Sequence, residues 1–120
     1  MRIAVSAQGD SLESLVDPRF GRAQRFLLVD SSTMSFEVIE NAQNLGLAQG
    51  AGVQAAQSVF QHKPDVVLTG SCGPNAFRAL QAAGVKVITG VEGKVKDAVR
   101  AFLDGKYSAA AGPNKEGHWA

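Results

Sequence analysis

Gly70-Ser71-Cys72-Gly73-Pro74-Asn75 constrains the fold of this chain more than any other stretch. It follows the most uniformly apolar run, Val66-Val67-Leu68, and precedes a segment with helical spacing. A short apolar run bounded by turn residues fits a buried strand. A strand that ends in a glycine-bracketed turn and opens a helix puts backbone N–H groups at the carboxyl edge of a sheet. The helix dipole adds partial positive charge there, which suits an anion. Gly70 and Gly73 allow the backbone to bend and approach a ligand. Pro74 suits a first helical turn, because it has no N–H to lose and its φ is already helical. Cys72, the only cysteine, lies in the middle. Two readings fit these residues equally: a ligand-binding edge, and an ordinary strand-to-helix turn with a small buried thiol.

The remaining elements follow from periodicity. Arg2 to Ala7 alternates, with Ile3 and Val5 on one side, and predicts a strand. Phe26-Leu27-Leu28-Val29-Asp30 is a second strand and Ser35 to Glu40 a third. The turn Asp30-Ser31-Ser32-Thr33 joins them as an antiparallel hairpin. After the polar segment from Asn41 to Gln49, a helix begins near Gly50. Val53, Ala56, Val59 and Phe60 fall on one face of it, and Pro64 stops it. Asp65 to Thr69 is the central strand. Ala76, Phe77, Leu80 and Ala83 form the stripe of the next helix, Gly84 is its left-handed stop, and Val85 to Ile88 is a fifth strand. Val95, Ala98, Val99, Phe102 and Leu103 match the amphipathic helix template, and Gly105 ends that helix. The expected architecture is a single α/β domain over 1–105. Its mixed five-stranded sheet combines an antiparallel hairpin with parallel later strands, joined by right-handed crossovers and flanked by helices. The tail 106–120, rich in Ala, Gly, Asn and Lys, is expected to be loose.

Composition narrows the function classes. At 120 residues the chain is one domain, and 45% apolar with 19% charged residues is the balance of a globular protein. A net charge of +1 gives no broad basic face, so nucleic acid is not an expected partner. One cysteine forms no internal disulfide and no four-thiolate iron–sulfur site. The start, Met1-Arg2-Ile3-Ala4-Val5-Ser6, turns polar too soon for a signal peptide, and no apolar run approaches the roughly 18 residues of a membrane span. A cytoplasmic protein without a membrane partner is the expectation.

Few residues carry chemistry. Arg19, Arg22 and Arg25 cluster around Phe20-Gly21, and guanidinium groups present several N–H donors to an anion. Arg22, beside Gly21, is the better ligand candidate, whereas Arg25 fits a solvated surface. Asp17 before Pro18 suits a loop tie. Gly50-Ala51-Gly52-Val53-Gln54-Ala55 fits the dinucleotide pattern G-x-G-x-x-A, but it does not directly follow the first strand, and Thr69-Gly70 stands where the ribose-binding acid belongs. Its glycines still offer N–H groups. His62 and His118 are the only histidines and, with Cys72, lack zinc spacing. A preformed inorganic cluster with its own sulfide ligands needs only N–H groups, an arginine and at most one thiolate. Two-metal nuclease chemistry needs converging carboxylates, and Ile3-Ala4-Val5-Ser6 has none. Binding is favoured over catalysis.

With these residues laid out, the chain resembles the dinitrogenase iron–molybdenum cofactor biosynthesis family from Arg2 to about Gly105. The matching pieces are Asp17-Pro18-Arg19-Phe20-Gly21-Arg22-Ala23, Gly50-Ala51-Gly52-Val53-Gln54-Ala55-Ala56 and Gly70-Ser71-Cys72-Gly73-Pro74-Asn75-Ala76, in this order. The resemblance implies a ribonuclease-H-like fold without nuclease chemistry, in proteins that bind or carry molybdenum- or iron-containing sulfide clusters or their precursors. Within the family, the chain most resembles members that hold a molybdenum–copper sulfide cluster without ordinary covalent attachment and belong to a complex linked to cell division. The implied cargo is therefore a molybdenum–copper sulfide cluster, with the iron–molybdenum cofactor or its precursor as the alternative. Arg19, Phe20, Gly21, Arg22, Gly50, Gly52, Gly70, Ser71, Cys72, Gly73, Pro74 and Asn75 are the candidate cluster-binding residues, with Cys72 as an optional sulfur ligand to metal. Two other classes stay open: a small enzyme or sensor for a phosphorylated metabolite or nucleotide, with Cys72 as nucleophile, and an interaction module with an empty pocket.

Overall fold

The computed structural model describes residues 1–41 and 50–108. The expectations for the polar segment up to Gln49 and for most of the tail therefore lie outside the described residues. The chain forms β1 (Arg2–Ala7), β2 (Arg25–Asp30), β3 (Phe36–Glu40), α1 (Ala51–Phe60), β4 (Val66–Leu68), α2 (Pro74–Ala82), β5 (Lys86–Ile88) and α3 (Val95–Leu103). The strands make one sheet in the order β3-β2-β1-β4-β5. β1 pairs antiparallel with β2, and β2 with β3; β1, β4 and β5 run parallel. The α/β architecture with a mixed five-stranded sheet is thus as the sequence predicts.

Burial explains why β1 and β4 are central. Ile3, Val5 and Ala7 of β1 join Val66 and Leu68 of β4 in one core layer, closed by Val95, Ala98 and Val99 of α3. Ala4 and Val67 face the opposite layer, closed by α1 and α2 through Ala55, Ala56, Val59, Ala76, Phe77 and Leu80. Strands covered on both faces lose the inside–outside alternation and become uniformly apolar. β3 is an edge strand; Ile39 is buried, while Phe36 and Val38 on its other face remain exposed.

Two helix faces differ from expectation. α1 buries Ala51, Ala55, Ala56 and Val59, while Phe60 is 48% exposed. Small residues let α1 approach α2 closely: a Cβ on Gly52 would lie 3.2 Å from the Ala76 Cβ. That approach turns alanines, not Val53 and Phe60, toward the core. In α3, Leu103 at the last position is exposed, because the helix ends there beyond the sheet-facing stripe of Val95, Ala98 and Val99. The stop after α2 is as predicted, with Gly84 at φ 80° and the Val85 N–H donating to the Leu80 carbonyl at 3.0 Å. His62 sits beyond α1 and contacts Glu37 of β3, Nδ1 to Oε1 at 3.0 Å.

Candidate anion-binding edge

β1 and β4 are parallel neighbours, and the chain leaves their carboxyl ends in opposite directions, toward β2 and toward β5. Crevices form at such switch points, where ligands bind in open α/β sheets. Here the loop after β1 and the turn after β4 are tied into one unit. The Asp17 N–H donates to the Ser6 carbonyl at 2.8 Å, and the Phe20 N–H to the Ser71 carbonyl at 3.0 Å. In return, the Ser71 hydroxyl donates to the Pro18 carbonyl at 2.7 Å. Beneath them, the Ser6 hydroxyl lies 2.8 Å from both the Asp17 carbonyl and the Thr69 hydroxyl. Ser6 and Thr69 are fully buried, so their mutual contact satisfies groups that water cannot reach.

Close packing draws the same loop onto the helices. A Cβ on Gly70 would lie 2.7 Å from the Pro18 Cα, and one on Gly21 would lie 2.9 Å from the Gly52 Cα. Gly21, Gly52 and Gly70 therefore bring chain segments together. The contact also gives Gly52 of the G-x-G-x-x-A pattern a packing reason. Phe20 is buried, its ring centroid 5.0 Å from that of Phe26, and it anchors the loop in the core. Asn41, also buried, donates from Nδ2 to the Ala23 carbonyl at 2.7 Å and so holds the loop's far end.

Between these anchors, Arg19 is exposed and Arg22 half-buried. The Asp17 carboxylate accepts the Arg19 N–H at 3.0 Å. Burial pushes the Asp17 carboxyl above its ordinary pKa, against the opposing pull of the Arg19 N–H and charge. Arg25 opens β2 and is half-buried: its Nε lies 3.8 Å from Glu40 Oε2 and is enclosed without a hydrogen-bond partner, unlike the solvated position expected of it.

All three helices begin at this edge, but their N-termini differ. At α3 the Val95 N–H donates to Ser14 O at 2.8 Å and the Lys96 N–H to Leu12 O at 3.0 Å. Glu13 adds ion pairs to Lys94 and Lys96, and Asp97 lies in the first turn. That terminus is closed by protein acceptors. α1 and α2 have no side-chain cap and no acid in the first turn. Their first intrahelical bonds are Gln54 N–H to Gly50 O and Phe77 N–H to Gly73 O. The N–H groups of Ala51, Gly52 and Val53, and of Asn75 and Ala76, precede those bonds and have no acceptor within their helices. The Gly52–Ala76 contact places the two termini side by side.

The other expected site residues now have places. Gly50, at φ 82°, and Gly73, extended at φ −73°, are the N-cap residues of α1 and α2, and Pro74 opens α2. Asn75 is exposed, and its Oδ1 accepts from Arg78 at 2.8 Å. Ser71 spends its carbonyl and hydroxyl on the loop. Cys72 is 1% exposed within the core, and burial pushes its thiol up to about 12. Phe20 and Cys72 both lie in the core layer closed by α1 and α2, and an enclosed, uncharged thiol is a weak nucleophile. Asn41 and Arg78 escaped sequence reasoning, since nothing local marks a residue whose partner lies in a distant loop or whose side chain bends along its own helix. Among the described residues, no three His, Cys, Asp or Glu side chains gather as they would around a metal ion. The edge offers N–H donors and positive charge, which fits a ligand that brings its own anionic surface.

Residues 1–105 match the family described as dinitrogenase iron-molybdenum cofactor, and the chain belongs to that family. Among solved structures, it is most usefully set beside the apo form of the orange protein from Desulfovibrio gigas. The two share 53% identity over 95% of this chain and 96% of that one, with a TM-score of 0.93. A Thermotoga protein described as NifB-type and of the DUF35 family is 35% identical over 90% of this chain and 91% of that one, with a TM-score of 0.78. A Methanocaldococcus jannaschii protein, 16% identical over 94% and 97% of the two chains with a TM-score of 0.72, shares the fold. No curated protein matches. Among the described residues, no helix is long and apolar enough to cross a membrane.

Proposed function

We propose that this protein is a non-catalytic carrier of an anionic metal–sulfide cluster, with a molybdenum–copper sulfide as the favoured cargo and an iron–molybdenum cofactor precursor as the next. The observation that carries this is the pair of adjacent helix N-termini, both without caps or acids, beside the Arg22 loop in a chain of this family. Sulfide ligands complete the coordination of the metals within such a cargo. The protein then needs to supply hydrogen-bond donors to sulfur and compensating positive charge. The N–H groups of Ala51, Gly52, Val53, Asn75 and Ala76 serve as donors, and Arg22 and Arg19 supply the charge. A place in a complex linked to cell division belongs to the same proposal, and a pull-down with and without cargo tests it.

The test of the carrier role is reconstitution. Metal-free protein is mixed with tetrathiomolybdate and copper, desalted, and assayed for visible absorption and metal content. A retained, coloured, stoichiometric cluster is the expected result, and Arg22→Ala should weaken retention. A colourless, metal-free product discards the molybdenum–copper assignment and turns the test to iron–molybdenum precursors. Unchanged retention by Arg22→Ala removes that residue from the site.

A further inference from the structure

β3 is an edge strand without the usual guards. Among the described residues, no strand pairs with its outer side. Natural edges are blunted by shortness, lysine, proline or a bulge. The opposite edge, β5, has three residues and begins with Lys86. β3 has five residues, no lysine or proline, and an unbroken register with β2 from Arg25↔Glu40 to Val29↔Phe36. Phe36 and Val38 are 40% and 38% exposed. They are in register with Val29 and Leu27, which belong to the core layer closed by α3.

The ladder shows which backbone groups are left over. The Asp30 N–H donates to the Ser35 carbonyl at 2.8 Å, and the Asn41 N–H to the Gln24 carbonyl at 2.9 Å. In an antiparallel pair, bonded and non-bonded residues alternate. Ser35, Glu37, Ile39 and Asn41 therefore turn their N–H and C=O groups toward β2. Phe36, Val38 and Glu40 turn theirs to the open edge. The acids of the strand are already matched within the chain, Glu37 by His62 at 3.0 Å and Glu40 by Arg25 at 3.8 Å. An edge with outward backbone groups, apolar side chains and balanced acids complements a second edge of the same kind.

We propose that β3 pairs antiparallel with β3 of a second copy of this chain, about a two-fold axis at Val38. Such a contact must be self-complementary. A two-fold axis perpendicular to the sheet sets one residue opposite itself. Centred on Val38, it pairs all five residues of the strand. Val38 then meets Val38 of the second copy, and Phe36 meets Glu40. Both Phe36 and both Val38 side chains join in one patch, within diagonal reach of one another. No two acids stand opposite each other, whereas a register centred on Glu37 sets Glu37 against itself. The pairing consumes both β3 edges and leaves only the guarded β5 edges outside, so association stops at a dimer. A strand contact about 17 Å long is smaller than the interfaces of stable dimers, so the association is weak and reversible. Antiparallel pairing points the two carboxyl edges in opposite directions, so both anion-binding edges stay open and the pairing is independent of cargo.

Sedimentation equilibrium of the full chain between about 10 μM and about 1 mM tests this, over the span in which a weak complex assembles. Wild type is expected to pass from monomer to dimer. Hydrogen exchange at the N–H groups of Phe36, Val38 and Glu40 should slow about tenfold when nine-tenths of the chain is dimeric, because it then runs through the remaining monomer. Exchange at Glu37 and Ile39, already bonded to β2, should not follow concentration. Val38→Lys sets two like charges at the axis and is expected to stay monomeric throughout, with its unfolding temperature unchanged. Val38→Cys adds an accessible thiol to a chain whose own Cys72 is buried. Mild oxidation with diamide should then link two copies, since opposite bonded residues lie about 5.5 Å apart between Cα atoms, within disulfide reach. Wild type that stays monomeric at the highest concentration, with exchange on β3 unchanged, overturns the inference and leaves this edge to a different chain. A dimer that survives Val38→Lys overturns it as well. If Val38→Lys does not fold, the exchange pattern of wild type and the cross-linking of Val38→Cys decide the matter.

Discussion

Gly21 and Gly52 meet backbone to backbone: a side-chain carbon on Gly21 would lie 2.9 Å from the Gly52 Cα and 3.1 Å from its nitrogen. This contact seats the Arg22 loop on the first turn of α1. Gly21→Ala must push the loop or the helix aside, and overpacking of this kind costs about 1–3 kcal/mol. The expected outcome is a lower denaturation midpoint together with weaker anion retention, because Arg22 moves with its neighbour. Unchanged stability would show that the loop yields freely.

Asn41 holds the other end of that loop through the Ala23 carbonyl, at 2.7 Å and fully buried. Asn41→Ala leaves that carbonyl without its amide donor, which costs about 1–3 kcal/mol. Hydrogen exchange should rise through the loop near Ala23 and stay unchanged in α3, which packs on the opposite face of the sheet.

Cys72 is enclosed in the core, and burial pushes its thiol up to about 12 in the fold against an ordinary 9.0. Between those values the unfolded chain releases a proton that the folded chain keeps, so Cys72 makes stability fall as pH rises through that window. Cys72→Ala should show a shallower alkaline decline than wild type by chemical denaturation at pH 8 and 10. Alkylation of native Cys72 by iodoacetamide at pH 7 should be far slower than that of a free thiol. Cys72→Ala is expected to retain a coloured cluster; loss of colour from a folded variant would restore a direct sulfur contact.

Asp17 titrates in the opposite range. Its carboxyl lies above the ordinary 3.8 because it is desolvated. The folded protein therefore holds a proton that the unfolded chain has lost, and stability falls as pH rises from 3.8 through the folded value. Asp17→Asn keeps an oxygen for the Arg19 N–H and removes the desolvated charge. It is expected to be more stable than wild type at pH 7, with the gap closing as the pH is lowered through the folded pKa. Urea denaturation at pH 7 and pH 4 measures both.

Where chain neighbours carried the information, the sequence was legible. The alternation in β1, the turn Asp30-Ser31-Ser32-Thr33 between β2 and β3, the strand–turn–helix from Val66 to Asn75 and the stripe of Val95, Ala98 and Val99 are local patterns, and each element lies where its pattern put it. The carboxyl edge of the sheet followed from the order of those elements. The face of α1 did not follow, because apolar spacing ranks Phe60 above Ala55, whereas the close approach of Gly52 to Ala76 turns the alanines inward.

The sequence by itself determined the elements, the family resemblance and the supply of donors: three arginines around Phe20-Gly21, glycine-rich helix starts and a single thiol. Only the tertiary structure decided what each supply is used for. It closed the α3 terminus with the carbonyls of Leu12 and Ser14, left the α1 and α2 termini without side-chain caps, turned Cys72 into the core and bent Arg78 onto Asn75. Propensity and periodicity act over a few residues, whereas burial, donor satisfaction and charge compensation depend on which distant segments come to lie within about 3 Å of one another.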